Sequence, residues 1–180
     1  KKIGINIRRS IFKAYDDIIM FEPMTQSEQI LYEGISRKIG ITDIPIVFPL
    51  FRLSKKEQQN SLLNILNENK SNIVIHPGCG ELLMYKRWAK ENFNILIKKI
   101  LFDNNQVIIV GGPEELNLSR EILHDIESKK CLNLVAKLNI RETLAVLANS
   151  SLLVSNDSGV MHLGAGMGIP VIAIFGPTSI

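Results

Sequence analysis

The run from Ser151 to Thr178 constrains this chain more than any other part of it. Ser151 to Ser155 is a short apolar stretch bounded by polar residues, the pattern of a strand buried on both faces. Asn156, Asp157 and Ser158 then gather the side chains that cap helices. Gly168 and Pro170 end the helix, and Val171 to Phe175 is the next buried strand. Strand, tight turn, helix and strand in this order imply a parallel pair joined by a crossover helix. A helix that starts at the carboxyl end of a parallel strand presents unbonded N–H groups and the positive end of its dipole. Phosphate is its natural guest.

The same rhythm runs through the chain from Asn72 onward. Strands are expected at Ile73–His76, Gln106–Val110, Leu132–Val135, Leu152–Ser155 and Val171–Phe175. Between them the spacing of Phe93, Leu96, Ile97, Ile100 and Leu101 predicts one helix, with others over Glu114–Glu127 and Ile140–Leu147. This alternation is that of an α/β fold, a Rossmann-like parallel sheet covered by helices on both faces. Ligands of such sheets bind outside the carboxyl ends of the strands. Residues 1–70 are less regular. Strands are expected at Lys2–Ile7 and Asp17–Phe21, and a helix entered at Thr25 or Ser27 and closed by Gly40. An extended piece, Ile44–Phe51, and a polar helix from Ser54 to about Asn69 follow. The expected division is 1–70, the end of one domain with its connection, and 71–180, a second domain.

Composition narrows the partners. Of 180 residues 22% are charged, with net charge +3 and no basic run longer than two, which excludes a nucleic-acid footprint. Lys1-Lys2 and Arg8-Arg9 read as solvated strand ends, with an anionic membrane surface the alternative. No apolar run is long enough for a transmembrane helix. Cys79 and Cys131 have neither CxxC nor metal-ligand spacing, so a reduced, cytoplasmic setting is expected and no metal site. Cys79 reads as a small residue at a tight turn. The chain opens on Lys and stops just after a core strand, so it is expected to be part of a longer protein.

Four strand-end loops are candidates for chemistry. His76-Pro77-Gly78-Cys79-Gly80 lets backbone approach a ligand, and Lys86 and Arg87 follow as cations for a diphosphate; a glycine turn with two solvated bases is the alternative. Gly111-Gly112-Pro113-Glu114-Glu115 is either a turn with dipole-matching acids or a place for a ribose-holding carboxylate. It is not a GxGxxG fingerprint, which argues against a dinucleotide oxidoreductase. Leu138 is either ordinary helix entry or an apolar wall for a base. In the last loop, Asp157 is either a cap or a ligand contact, and His162 either a core histidine or a neighbour of Ser158 on one helical face. Gly164 and Gly166 in mid-helix suggest that backbone proximity matters there.

His76-Pro77-Gly78, Lys86-Arg87-Trp88, Gly111-Gly112, Asn156-Asp157-Ser158-Gly159 with Met161-His162, and Phe175-Gly176-Pro177-Thr178 together resemble the heptosyltransferase family, glycosyltransferase family nine. The resemblance implies a GT-B fold, two Rossmann-like domains facing across a cleft, of which this chain holds the end of the first and a truncated second. It implies an ADP-L-glycero-D-manno-heptose donor, an acceptor on the inner core of lipopolysaccharide, and metal-independent, inverting transfer with no cofactor. On it, Asp157, Ser158, Gly159 and His162 hold the diphosphate and sugar and Lys86 pairs with the phosphates. Glu114 holds the ribose, Leu138 flanks the adenine, and Gly78 belongs to the phosphate loop. The general base is then a carboxylate of an early loop in the N-terminal domain that this chain lacks. The setting implied is the cytoplasm, with peripheral contact at the inner membrane. A transferase using another nucleotide sugar and a non-catalytic nucleotide-binding module are the alternatives, and competition among ADP, UDP and GDP separates the donors.

Overall fold

The computed structural model of the chain describes residues 3–6, 17–20, 34–38, 40–41, 51–59, 61–66 and 71–176. They fall into two compact units, one of residues 1–46 with 178–180 and one of residues 47–177. In the first unit β1 (Ile3–Asn6) pairs in parallel with β2 (Asp17–Met20), Ile3 opposite Asp17. Both expected strands are present, though their outermost expected residues lie outside the described ones. Helical residues 34–38 (α1) end in a Schellman motif. Gly40, at φ 87°, donates to Arg37 O, and Ile41 donates to Ser36 O. The expected caps at Thr25 and Ser27, and most of the extended piece Ile44–Phe51, lie outside the described residues.

The second unit is built on five parallel strands: β3 (Asn72–His76), β4 (Gln106–Ile109), β5 (Cys131–Asn133), β6 (Leu152–Asn156) and β7 (Val171–Ile174). Their order is β5-β4-β3-β6-β7. The chain therefore steps outward on one side of β3, then returns and steps outward on the other. The reversal between β3 and β6 is the topological switch point. Successive residues of each strand face opposite sides. Ile75, Val107, Ile109 and Val154 pack against Phe93 and Ile97 of α3 (Lys90–Phe102) and Ile122 of α4 (Leu116–Ile122). Val74, Ile108 and Leu153 pack on the other face against Val146 and Leu147 of α5 (Ile140–Ala148) and Val160 and Leu163 of α6 (Gly159–Met167). Helices cover both faces, as the alternation of strands and helices requires. Trp88 adds an edge-to-face contact with Phe93, ring centroids 5.1 Å apart.

Several elements differ from expectation for local reasons. The helix expected over Glu114–Glu127 is a 3-10 turn, Pro113–Glu115, followed by α4, which stops at Ile122. Its last carbonyls are taken early: Asn94 Nδ2 donates to Ile122 O at 2.7 Å and His124 Nδ1 to Glu121 O at 2.9 Å. Strand β5 ends at Asn133, whose Oδ1 accepts from Val135 N and turns the chain. Among the described residues the expected polar helix is represented by α2 (Lys55–Gln58), opened by a Ser54–Glu57 capping box, and a 3-10 turn at Ser61–Ile65. Asparagine and serine are poor helix formers, and this stretch is rich in both. Residues 47–70 belong by contact with the sheet unit. Glu57 is gripped by Arg141 Nη2 at 2.8 Å, and the same nitrogen donates to Arg52 O at 2.9 Å. Among the described residues no helix is long and apolar enough to cross a membrane.

Candidate functional site

A cavity of about 530 Å³ opens at the carboxyl ends of the strands of the second unit, and four strand-end loops supply its walls. His76, Cys79 and Gly80 come from the loop after β3. Gly111, Gly112, Glu114 and Glu115 follow β4, Leu138, Ile140 and Thr143 follow β5, and Ser158, Gly159, Val160 and Leu163 follow β6. Read across the sheet, the lining changes from apolar beyond β5, through carboxylates and an imidazole at β4 and β3, to a helix start at β6.

That helix start is α6, and Ser158 is its cap. Its backbone is extended, φ −157° and ψ 168°, and its hydroxyl accepts from Met161 N at 3.3 Å. Ser155 spends its hydroxyl proton on Asn156 O at 2.7 Å, so at the 3.0 Å contact between the two serines Ser158 donates. The Ser158 side chain is thus occupied on both counts. What it leaves facing the cavity is the first-turn backbone N–H of Gly159 and Val160, beyond reach of any intrahelical carbonyl. The helix lies close to the sheet because position 164 is glycine; a Cβ there would stand 2.5 Å from Leu153 Cδ2.

Asp157 is not the cap. Its N–H donates to Ile174 O, prolonging the ladder, and its carboxylate takes Lys86 Nζ at 2.7 Å. Both side chains of this pair are partly exposed, 16% for Lys86 and 21% for Asp157. The carboxylate raises the Lys86 ammonium above its ordinary range. Asn156, fully buried, ties the neighbouring loop down: its Nδ2 donates to Pro77 O at 2.7 Å and its Oδ1 accepts from Trp88 N at 3.1 Å. The last residue of β6 and the one that follows it thereby fix both the His76–Gly80 loop and the segment that carries Lys86.

Glu115 fixes the second loop. It is only 2% exposed, and its Oε2 accepts from Gly112 N at 2.8 Å. Its carboxylate also lies under Gly78, where an added Cβ would meet Oε1 at 2.3 Å. This close approach is why the loop after β3 needs glycine at that position. His76 is 5% exposed, and its Nδ1 lies 3.0 Å from Val110 O. Burial, the largest influence on it, holds the imidazole pKa below the ordinary 6.5. Arg87 acts in the same direction, while the bond to Val110 and the charge of Glu114 oppose it.

Of the eight residues singled out from the sequence, Ser158, Gly159, Glu114 and Leu138 line the cavity. Lys86, Asp157, Gly78 and His162 are not among its lining residues. Gly78 stands behind the wall, against Glu115, and Lys86 and Asp157 hold each other beside the helix start. His162 is exposed, which rules out the core-histidine alternative. The sequence places Glu115, His76 and Asn156 within the candidate loops and motifs, but gives none of the three a role of its own. Glu115 had a legible signal, since a glutamate three residues after Gly112 and two after Pro113 sits where a side chain folds back on the turn's first N–H. His76 and Asn156 stand at strand ends within the motifs that carry the resemblance, and nothing local points to their partners.

Comparison with known proteins agrees with this architecture. The family described as Glycosyltransferase family 9 (heptosyltransferase) matches residues 21–180. Lipopolysaccharide heptosyltransferase 2 of Salmonella typhimurium is 26% identical over 151 residues, 82% of this chain and 43% of that protein. Lipooligosaccharide heptosyltransferase 2 of Campylobacter jejuni (serotype O:2) is 28% identical over 182 residues, 98% of this chain and 54% of that one. The chain thus spans about half the length of these relatives. Among solved structures, E. coli ADP-heptose lps heptosyltransferase II superposes with a TM-score of 0.67 at 27% identity, covering 76% of this chain and 42% of that one. A family 9 glycosyltransferase of Veillonella parvula shares the fold, with a TM-score of 0.78 at 20% identity over 92% of this chain and 48% of its own.

Proposed function

Because the chain belongs to glycosyltransferase family 9, the heptosyltransferases, we propose that it carries the donor-binding half of an enzyme that transfers heptose from ADP-L-glycero-D-manno-heptose to the inner core of lipopolysaccharide. The observation that carries this reading is the cavity itself: a helix start at a topological switch point, facing two carboxylates and an apolar wall. The names of the relatives support a lipopolysaccharide acceptor, and that of the E. coli structure supports an ADP-heptose donor.

In this reading the diphosphate lies against the N–H groups of Gly159 and Val160, the ribose near Glu114 and the adenine against Leu138. His162 reaches the sugar from the exposed side of α6. Lys86, anchored by Asp157 next to the helix start, supplies the cation. As the heptose–phosphate bond breaks, negative charge grows on ADP, and these fixed donors stabilise it without reorganising. They fill the role a divalent metal has in other sugar transferases. Inversion requires the acceptor hydroxyl to attack from the opposite face with a general base there, a carboxylate of the acceptor-side domain. The enzyme works in the cytoplasm, with peripheral contact at the inner membrane where its acceptor is built.

Calorimetric titration of the chain with ADP, UDP and GDP, without metal, tests this. ADP is expected to bind selectively, and Asp157→Ala to weaken it about tenfold or less by releasing Lys86 from its anchor. Preference for UDP or GDP would replace the donor. A folded chain that binds none of the three would overturn the donor-site assignment.

A further inference from the structure

We propose that His76 contacts the donor directly, its Nε2 accepting a hydrogen bond from a ribose hydroxyl of the bound nucleoside diphosphate; this rests on the donor reading above. The tautomer follows from the partner. A carbonyl oxygen only accepts, so the 3.0 Å contact to Val110 O places the ring proton on Nδ1 and leaves Nε2 with a lone pair. Nε2 has no hydrogen-bond partner among the described residues, yet it is not among their fully buried unsatisfied atoms, of which Arg87 Nε is one. It therefore meets open space, and the space that His76 borders is the cavity.

The position selects the ligand group. Nδ1 is spent on Val110 O, so Nε2, on the far side of the ring, points away from that bond into the cavity, and the ring lies near enough to Glu114 to feel its charge. Between an apolar wall suited to a base and N–H groups suited to a diphosphate, that is where a ribose falls. A ribose offers two vicinal hydroxyl donors, and this part of the lining offers two acceptors, the Glu114 carboxylate and Nε2. Burial and the nearby Arg87 favour the neutral ring that an acceptor role needs.

The test is calorimetric titration of the full chain with ADP, 2′-deoxy-ADP and 3′-deoxy-ADP, in the wild type and in His76→Asn. The asparagine amide can still donate to Val110 O but has nothing at the Nε2 position. The wild type is expected to prefer ADP over both deoxynucleotides, and over the one that lacks the hydroxyl facing Nε2 by about three- to tenfold, the worth of one hydrogen bond. H76N is expected to bind ADP only as well as the wild type binds that deoxynucleotide, whose own affinity stays unchanged and so reports an intact fold. His76→Gln, which returns an amide to the Nε2 position, is expected to restore part of the preference. An undiminished preference in H76N, or no preference in the wild type, overturns the contact and leaves the donor reading standing. Loss of all three nucleotides alike in H76N also overturns it. No ADP binding by the folded wild type overturns both.

Discussion

At the scale of single residues, the site is set by which of several similar side chains the backbone turns in which direction. Asn156, Asp157 and Ser158 are all capping types, and their order alone does not say which one caps. The backbone assigns the cap to Ser158, while Asp157 turns to Lys86 and Asn156 to Pro77 and Trp88. Those partners lie 68 to 79 residues away in the chain, so local pattern carries no trace of them. His76 has a consequence for stability that follows from the same geometry. The folded state holds it neutral below its ordinary 6.5, so the unfolded chain binds the proton more readily. The stability it contributes is then fully present above about pH 6.5 and lost as pH falls below that toward the folded value. Denaturant midpoints of the wild type and H76N, compared from about pH 8 to about pH 5, isolate the effect. Their difference is expected to be flat at the upper end and to shrink below about 6.5. A difference that stays constant throughout would mean that His76 titrates alike in both states.

At the scale of elements, strong periodicity was legible and side-chain capture was not. Helix α5 begins where a capping box is spelled out by Asn139 and Glu142, and α6 ends where Gly168 and Pro170 say it should. The early end of α4 was hidden because the groups that stop it include Asn94 on another helix. The glycines of α6 mark tertiary packing that sequence could suggest but not assign. Gly164 lies on Leu153, and Gly166 lies under the ring of Phe51, where a Cβ would stand 2.5 Å from Cε2. Glycine to alanine inside a helix ordinarily stabilises by about 1 kcal/mol. At position 166 the overlap with an aromatic ring is expected to reverse that sign, to a loss of about 1–3 kcal/mol. Phe51→Ala in the same chain is expected to recover part of the loss, because the two positions share one contact. Urea denaturation of the two single variants and the double variant measures it, and additive effects would mean that residues 51–59 are not held on α6 through this ring.

At the scale of the whole sheet unit, the fold class, the parallel strands and their two helical layers follow from the alternation of strands and helices alone. The order β5-β4-β3-β6-β7 does not, because it depends on which face each crossover helix covers. That order nonetheless places the site, since it brings the β3, β4 and β6 loops side by side at the reversal. The cavity is lined mostly by loops and a helix start, while the strands beneath are fixed by two cores, of which the one that contains Ile97 does not touch the ligand space. Stability and affinity should therefore separate. Ile97 is fully buried in α3 against the β3 and β4 side chains, and it is absent from the cavity lining. Ile97→Ala is expected to cost about 2–5 kcal/mol of unfolding free energy. Because the strand ends are held by hydrogen bonds rather than by this side chain, the folded variant is expected to keep the ADP affinity of the wild type. Saturating nucleotide should then stabilise both proteins equally, by about 2.7 kcal/mol when ADP stands at a hundred times its dissociation constant. Denaturant melts with and without ADP, together with a direct titration, read both quantities. A folded Ile97→Ala that binds ADP ten times more weakly would show instead that α3 packing sets the spacing of the β3 and β4 loops, and that the cavity is not held by its strand-end hydrogen bonds alone.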